Sequence, residues 1–377
     1  MHPTSEADLA DAIATAQGAL RIQGGATRDI GAPVIGTALS TQGLDGIVDY
    51  EPGALTLVAR AGTPLAQIEA ALATEGQRLP FEPMDHRPVL GTKGTPTIGG
   101  VVAANVSGPR RVQVGACRDF LLGARFVDGA GRVLKNGGRV MKNVTGYDLV
   151  KLMAGSFGTL GVITEVSFKV LPIPETQVTL AFSGHDPARA VAAMAAALSS
   201  PFEVSGAAWV QGQTLLRLEG MERSVAYRVG ALAERLKPYG QAEQIQGTAA
   251  GAIWQTVRDA HALVGCETLW RVSLKPSDAP AFLAAVDPDH RLKCQIDWGG
   301  GLIWLGAESA ENAADTHARL RGEIASRGGH VTLLKAPTAL RTSLAVFQPE
   351  PPAAAALARA LRQRFDPKAI LNPGLMG

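Results

Sequence analysis

The segment 136–174 constrains the fold of this chain more than any other part of the sequence. It contains a helical pattern at 147–153, which is followed by a β-branched run at 162–170. Between the two patterns, a glycine recurs at every third position, at Gly155, Gly158 and Gly161. Glycine has no Cβ, so this spacing presents backbone groups rather than side chains. We therefore expect a flat or anionic group to lie against the segment.

A second glycine-rich segment at 91–108 makes a similar prediction. Gly99 and Gly100 precede a run of small residues, whose amide groups can face an anion at the N-terminus of a helix. Two such surfaces in one domain indicate a single large cofactor that carries a pyrophosphate.

Composition narrows the class of protein. The chain has 377 residues, of which 46% are hydrophobic, and a formal net charge of +2. This length and apolar content predict a globular protein with two domains. Basic runs with interleaved aromatic residues are missing, which argues against nucleic acid as a partner. Of the 43 glycines, 25 lie in residues 1–175, so the first domain should depend more on loops than the second.

The sequence shows no sign of export, membrane insertion or a metal site. The N-terminal 20 residues read as an amphipathic helix without the basic flank of a signal peptide, and no apolar run reaches the length of a membrane span. Cys117, Cys266 and Cys294 are far apart, which argues against disulfides and fits the cytoplasm. The seven histidines form no metal-binding motif, so we predict no metal site.

The first domain reads as mixed α+β. We expect a strand at 20–22, then a turn at 24–28 that either approaches a phosphate or serves only the chain reversal. Hairpins are expected at 47–61 and 120–135, and a helix capped by Thr63 should end at Gly76. A GxGxxG motif and regular βαβ alternation are both missing, which disfavours a Rossmann dehydrogenase.

The second half of the chain contains an internal repeat. Residues 178–246 and 269–335 both read as βαββαβ, and Trp209 and Trp298 occupy matching places 89 residues apart. A connecting helix is expected within 247–266. The tail should form a helix followed by a turn centred on Asn372.

Five segments together resemble the vanillyl-alcohol-oxidase-type (PCMH) FAD-binding family. Within that family, the chain resembles the FAD-binding subunits of three-subunit bacterial glycolate oxidases (glycolate dehydrogenases) over nearly its whole length. The segments that carry the resemblance are GGATR at 24–28, PTIGGVVAANVSGPRR at 96–111, RDFLLGARFVDGAGRVLKNGG at 118–138, VTGYDLVKLMAGSFGTLGVITEVSFKVLP at 144–172 and FDPKAILNPG at 365–374.

The resemblance implies a bound FAD and names the residues that hold it. Some relatives attach the flavin through a histidine in the first glycine-rich loop, but residues 25–27 contain no histidine or cysteine, so noncovalent FAD is expected. The residues implied in FAD binding are Gly24, Gly25, Ala26, Thr27, Thr97, Gly99, Gly100, Asn105, Ser107, Gly108, Ser156, Gly158, Gly161, Val162, Ile163 and Asn372. Ser156 is alternatively only a turn residue.

A 2-hydroxy acid substrate would need a cation for its carboxylate and a base for its hydroxyl proton. Arg271 lies in an apolar strand pattern, so it either contacts substrate or forms a structural ion pair, for which Asp297 is the candidate partner. His330 is the candidate base and alternatively a structural histidine. Trp298 is expected beside the flavin or in the cap core rather than as a catalytic group.

These observations predict an α+β protein with a two-subdomain PCMH-type FAD-binding domain at 1–175, a ferredoxin-like cap at 176–345 and a C-terminal return at 346–377. The resemblance implies an FAD-dependent subunit that oxidises glycolate or a related 2-hydroxy acid. Its expected partners are a homologous catalytic flavoprotein subunit and an iron–sulfur subunit, which could hold it at the inner face of the membrane. The alternatives are a scaffold subunit without catalysis and a self-sufficient dehydrogenase.

Overall fold

The computed structural model of the chain describes residues 1–139 and 146–377. The start of the VTGYD segment, at 144–145, lies outside the described residues. Two large antiparallel sheets organise the molecule, one of five strands and one of eight, and two pairs of short strands accompany them. The mixed α+β fold class is thereby confirmed.

The first 175 residues supply the five-stranded sheet and its covering helices. The strands are β1 (Leu20–Gln23), β2 (Thr37–Ser40), β3 (Ile47–Glu51), β4 (Thr56–Arg60), β5 (Gln77–Arg78), β6 (Leu121–Val127), β7 (Val133–Gly137), β8 (Val162–Lys169) and β9 (Leu171–Pro172). The helices are α1 (Glu6–Thr15), α2 (Leu65–Thr74), α3 (Arg87–Leu90), α4 (Ile98–Ala103), α5 (Arg111–Val114), α6 (Cys117–Phe120) and α7 (Leu149–Met153).

The five-stranded sheet runs in the order β3-β4-β8-β6-β7, and its central strands are buried on both faces. One face packs against α2 and α4, where Leu57, Ile68 and Phe168 are fully buried. The other face packs against α1, the parallel pair β1–β2 and the C-terminal residues, around Leu9 and Leu371. Both expected hairpins are present.

The predicted cap of α2 is wrong. Pro64, not Thr63, is the residue that precedes the helix, and no side chain caps it. The Thr63 hydroxyl instead donates to the carbonyl oxygen of Arg60 at 2.7 Å and accepts from the Gly46 N–H, which ties the turn before α2 to the start of β3. The buried stripe of α2, Leu65, Ile68 and Leu72, is as expected.

The eight-stranded sheet contains both predicted repeats. Its strands are β10 (Thr176–Phe182), β11 (Gly206–Val210), β12 (Gln213–Gly220), β13 (Glu243–Gln246), β14 (Thr268–Ser273), β15 (Lys293–Asp297), β16 (Leu302–Ala307) and β17 (His330–Lys335). Its helices are α8 (Pro187–Leu198), α9 (Glu222–Arg235), α10 (Gly247–Arg258), α11 (Ala279–Val286) and α12 (Ala313–Ala325).

The strands of the sheet lie in the order β13-β10-β12-β11-β15-β16-β14-β17. When the four strands of each repeat are numbered 1 to 4 along the chain, this order is 4-1-3-2 in the first repeat and 2-3-1-4 in the second. The two halves therefore have the same topology and meet at β11 and β15, as the internal repeat predicts. After the sheet come α13 (Thr338–Ser343) and α14 (Pro352–Phe365). Domain boundaries at residues 175 and 345 stay a prediction.

A buried ion cluster joins the eight-stranded sheet to the first domain. Arg217 on β12 donates two hydrogen bonds of 2.8 Å to the carboxylate of Glu82, which precedes α3. Glu219, two residues further along the same strand, pairs with Arg78 and Arg110 of the first domain. Because buried charges are stable only when paired, this cluster fixes the eight-stranded sheet on the first domain. Within the described chain, no helix is both long and apolar enough to cross a membrane.

Candidate functional site

A cleft in the first domain, here called cavity one, collects most of the predicted FAD-binding residues. It lies where the end of β1, the start of α4, the start of β8 and the C-terminal turn meet. The predicted residues that line it are Gly24, Gly25, Ala26, Thr27, Thr97, Gly99, Gly100, Gly158, Gly161, Val162, Ile163 and Asn372. Segments more than 300 residues apart in sequence thus form one surface.

The glycines of cavity one serve two different purposes. A Cβ on Gly25 would stand 1.5 Å from the carbonyl oxygen of Thr95, so this glycine is required by the close packing of two loops. A Cβ on Gly100 would meet nothing closer than 3.3 Å. Gly100 therefore keeps space open on the cavity side, where a ligand can approach the backbone.

Thr97 supplies the test of whether cavity one fits the phosphate-bearing cofactor that the sequence implies. Its hydroxyl is buried, has no hydrogen-bond partner within the described residues and stands beside Gly24 and Gly100. A buried hydroxyl without a partner is costly unless a ligand satisfies it. A neutral donor between two glycines suits a phosphate oxygen, so these residues fit the implied group.

Four predicted residues lie outside cavity one. Asn105 and Ser107 line a neighbouring cavity, and their side-chain oxygens accept hydrogen bonds from the N–H groups of Arg118 and Cys117. The Ser156 hydroxyl donates to the carbonyl oxygen of Met153, and the Gly108 carbonyl accepts from Trp298. The FAD roles assigned to these four residues stay predictions.

The neighbouring space, cavity two, lies between the first domain and the eight-stranded sheet. Its volume of about 420 Å³ is within the usual range for small-molecule sites. Ile30, Ala104 and Phe157 line both cavities, so the two adjoin. A ligand in cavity two would therefore lie next to a cofactor in cavity one.

The wall that the eight-stranded sheet contributes follows from strand periodicity. Side chains alternate between faces along a strand, and β14 pairs with β16 and β17 so that Arg271 is opposite Trp304 and Thr332. On these strands, one set of alternate residues faces the first domain and includes the cavity wall, while the other set enters the apolar core. The strand residues in the cavity wall are Arg271, Ser273, Trp304, His330, Thr332 and Leu334.

Two guanidinium groups converge on one aromatic ring in cavity two. Cζ of Arg111 is 4.4 Å, and Cζ of Arg271 is 5.1 Å, from the ring centroid of Trp298. Burial and the neighbouring Arg111 cation lower the pKa of Arg271 to about 10, so its side chain remains a cation. The expected ion pair with Asp297 is wrong, because within the described residues no carboxylate lies within 4.0 Å of Arg271.

Asp297 is a buried structural carboxyl rather than a wall residue. It accepts a 2.7 Å hydrogen bond from the N–H of Trp298, and burial raises its pKa to about 8. His330 does line cavity two. Burial, together with the Arg271 and Arg111 cations, lowers the pKa of His330, which keeps its imidazole neutral near pH 7. Across the described residues, no three His, Cys, Asp or Glu side chains meet as a metal site.

Sequence reasoning missed several charged residues at the two cavities. Arg111 and Arg118 line cavity two, His86 lies in the same wall, and Arg28 lines cavity one. Arg28 and Arg111 are the last residues of two segments that carry the family resemblance, and this position was the one sign in the sequence that they could belong to the site. His86 stands alone in the sequence and had none.

Comparison with known proteins identifies the family. A family model described as an FAD binding domain matches residues 1–137. The glycolate oxidase subunit GlcE of Escherichia coli is 40% identical over 92% of this chain and 89% of its own length. The glycolate oxidase subunit GlcD of Bacillus subtilis is 32% identical over 38% of this chain and 29% of its own length.

A solved alkyldihydroxyacetonephosphate synthase shares the fold, with a TM-score of 0.71 and 16% identity over 99% of this chain and 76% of that one. The FAD binding domain contains most of cavity one, so FAD is the cofactor of this chain. Because the match to GlcE extends over nearly all of both sequences, the chain belongs to the glycolate oxidase subunit GlcE family of FAD-dependent oxidoreductases.

Proposed function

We propose that this chain is the FAD-binding subunit of a glycolate oxidase complex and that it binds glycolate or a related 2-hydroxy acid in cavity two. The observation that carries the proposal is the junction of the two cavities at Ile30, Ala104 and Phe157. An anionic substrate on one side of this junction would lie against the cofactor on the other side.

The arginines of cavity two suit a carboxylate. Arg111 and Arg271 share the Trp298 ring and have no carboxylate within ion-pair distance in the described chain. Guanidinium groups bind carboxylates through short, charge-assisted hydrogen bonds. We assign Arg271 and Arg111 to the substrate carboxylate, with Trp298 as the aromatic surface that positions both cations.

His330 would accept the proton of the substrate hydroxyl. It starts β17 directly opposite Ser273, on the same face of the sheet as Arg271. Its lowered pKa leaves the imidazole neutral and able to take a proton near pH 7. FAD, when bound, supplies the two-electron acceptor. The candidate FAD-binding residues Gly24, Gly25, Ala26, Thr27, Thr97, Gly99, Gly100, Gly158, Gly161, Val162, Ile163 and Asn372 would hold it in cavity one.

FAD is proposed to bind without a covalent link, because histidine and cysteine are missing from the first glycine-rich loop, 24–28. Electrons would leave through partner subunits, a homologous flavoprotein and an iron–sulfur protein. This assignment rests on the similarity to GlcE and, over part of the chain, to GlcD. We place the chain in the cytoplasm. It would be held at the inner face of the membrane only through those partner subunits.

Rapid anaerobic mixing of the FAD-loaded chain with glycolate, and separately with D-lactate, tests the proposal. The isolated subunit should bind both acids, seen as a change in the flavin spectrum, and should bleach much more slowly than 1 per second until partner subunits are added. Fast bleaching in isolation would show a self-sufficient dehydrogenase. No spectral change with either acid would leave only a scaffold role.

A further inference from the structure

Arg28 and His86 form a contact between the two cavities. Nε of Arg28, whose side chain lines cavity one, donates a 3.3 Å hydrogen bond to Nδ1 of His86, which lines cavity two. Nη2 of the same arginine lies 3.5 Å from the carbonyl oxygen of Met84. Both donors of this guanidinium edge are therefore directed at the segment that precedes α3.

The arginine decides which nitrogen of His86 carries the proton. The Nε–H of an arginine is always present and lies fixed in the guanidinium plane, so the atom that it approaches must offer a lone pair. Nδ1 of His86 also lies 3.3 Å from the Met84 carbonyl oxygen, and it could donate to that oxygen only if it were protonated. A protonated Nδ1 would then place two N–H groups against each other. The neutral tautomer with its proton on Nε2 avoids this conflict.

This tautomer leaves one donor, the Nε2–H of His86, free to bind a ligand. His86 is 7% exposed, and burial together with the Arg28 cation lowers its pKa to about 3, so it stays neutral. Since Nδ1 is turned toward Arg28, Nε2 on the far side of the ring is turned away from it. Nε2 has no hydrogen-bond partner among the residues that the structure describes. Because His86 lines cavity two, this donor is available to a ligand that enters the cavity.

We propose that Arg28 holds His86 as its neutral Nε2–H tautomer and that His86 donates this proton in a hydrogen bond to a carboxylate oxygen of the substrate in cavity two. This inference rests on the proposed function and adds a specificity-determining residue to it. Arg28 is a positioning residue, because it acts through His86.

The surrounding charges select the class of acceptor. Arg111, Arg118 and Arg271 line the same cavity, and within its described lining only Asp119 carries a carboxylate. That carboxylate already accepts a 2.8 Å hydrogen bond from the N–H of Ala116. An anionic oxygen is therefore favoured over a neutral one, and a small carboxylate satisfies both the cations and the imidazole donor.

Nitrogen NMR of the imidazoles tests the tautomer directly, on protein with or without FAD. Long-range proton–nitrogen spectra distinguish a protonated Nε2 from a protonated Nδ1, and the signals missing in His86→Gln identify His86. We expect the Nε2–H form in the wild type and a mixture of both forms in Arg28→Met. A wild-type His86 protonated on Nδ1, or a tautomer unchanged in Arg28→Met, would overturn the proposal.

Binding of oxalate, a carboxylate that cannot be oxidised at a hydroxyl, tests the donor. His86→Leu should weaken oxalate binding to the FAD-loaded chain by about 10-fold to 100-fold. His86→Gln keeps a side-chain N–H and should stay within about threefold of the wild type, and neither variant should change FAD affinity by more than about threefold. Equal oxalate affinity in His86→Leu, or a parallel loss of FAD affinity, would overturn the proposal.

These experiments distinguish a failure of the proposed function from a failure of the His86 proposal. If the purified chain takes up no FAD, the flavoprotein assignment is wrong, and the NMR spectra of the FAD-free chain still decide the tautomer. If the loaded chain takes up FAD but does not bind oxalate, the carboxylate role of His86 is wrong while FAD binding stands.

Discussion

The side-chain Oδ1 of Asn372 accepts a 2.7 Å hydrogen bond from the backbone N–H of Ile22, although 350 residues separate them. The Nδ2 of the same asparagine donates to the carbonyl oxygen of Phe157 at 2.8 Å. One amide thus connects the end of the chain to β1 and to the loop before β8, and all three segments line cavity one. The C-terminal turn is therefore part of the wall of cavity one.

Replacing Asn372 by alanine should open this connection. Asn372 is only 2% exposed, so the variant loses two buried hydrogen bonds. We expect the free energy of unfolding to fall by about 1–3 kcal/mol and FAD to bind about tenfold or more weakly. Urea unfolding and FAD titration measure the two effects. Asn312→Ala is the control, because Asn312 is exposed and its side chain makes no capping hydrogen bond to α12. Wild-type FAD affinity in Asn372→Ala would separate the C-terminal turn from the cofactor site.

Gly100→Val should prevent FAD binding and leave the fold intact. Gly100 lies inside α4 with normal helical backbone, and its missing side chain keeps cavity one open. Gly322→Val, in the middle of α12 with no atom within 4 Å of its would-be Cβ, is the matched control. Flavin absorbance per protein and the far-ultraviolet circular dichroism of both variants give the comparison. FAD occupancy like that of the control would show that Gly100 faces no ligand.

Gly158 is a less informative position for the same test. Sequence reasoning treats it as equivalent to Gly100, but its φ of +71° places it in the left-handed region, where valine is strained in any environment. We expect Gly158→Val to reduce stability and FAD binding together. Unfolding temperatures measured without FAD should therefore fall for Gly158→Val and stay near the wild type for Gly100→Val.

The ion cluster between the eight-stranded sheet and the first domain should make stability fall in acid. Burial alone would raise the pKa of Glu219, but Arg217 and Arg110 lower it to about 2. Because its pKa when folded is below the ordinary value of 4.5, Glu219 stabilises the fold above pH 4.5 and loses this effect as the pH falls toward 2. Glu219→Gln should cost about 3–5 kcal/mol at pH 7 and progressively less below pH 4.5.

Urea unfolding of Glu219→Gln and wild type at pH 7 and pH 3 measures this difference. Glu243→Gln, at an exposed position of β13, should unfold like the wild type at both values. A cost for Glu219→Gln that is equal at pH 7 and pH 3 would contradict the assigned direction of the pKa shift.

Arg271→Met should weaken oxalate binding to the FAD-loaded chain by about 10-fold to 100-fold, because a charge-assisted hydrogen bond is lost while the apolar stem is kept. Arg271→Lys retains the cation but not the planar fork, so an intermediate loss is expected. FAD affinity should change little in either variant. Arg223→Met, on the exposed side of α9, is the control. Wild-type oxalate affinity in Arg271→Met would remove Arg271 from the substrate site.

Local sequence patterns were sufficient to predict the repeated topology of the eight-stranded sheet. Strand alternation and helix periodicity are set by neighbouring residues, so β14 and β17 and their partners in the first repeat are readable without tertiary information. The glycine-rich loops were also predictable, because close backbone approach at a position such as Gly25 leaves few alternatives to glycine. Twelve of the predicted FAD residues accordingly line cavity one.

Contacts between distant segments could not be predicted from the sequence. Arg111 and Arg271 meet over Trp298 only because α5 packs beside the eight-stranded sheet. Asp297 was the expected ion-pair partner of Arg271, but it ends β15, two strands away from β14, and its carboxylate accepts from the N–H of Trp298. The position of His86 beside Arg28 depends in the same way on the assembled fold.

The absorption spectrum of the purified chain, before and after acid precipitation, tests the central claim most directly. A chain that binds FAD without a covalent link should be yellow, or become yellow when FAD is added, and acid should release all of the flavin into the supernatant. A colourless protein that cannot be reconstituted with FAD would contradict the cofactor site in cavity one, and flavin that stays on the precipitated protein would contradict noncovalent attachment.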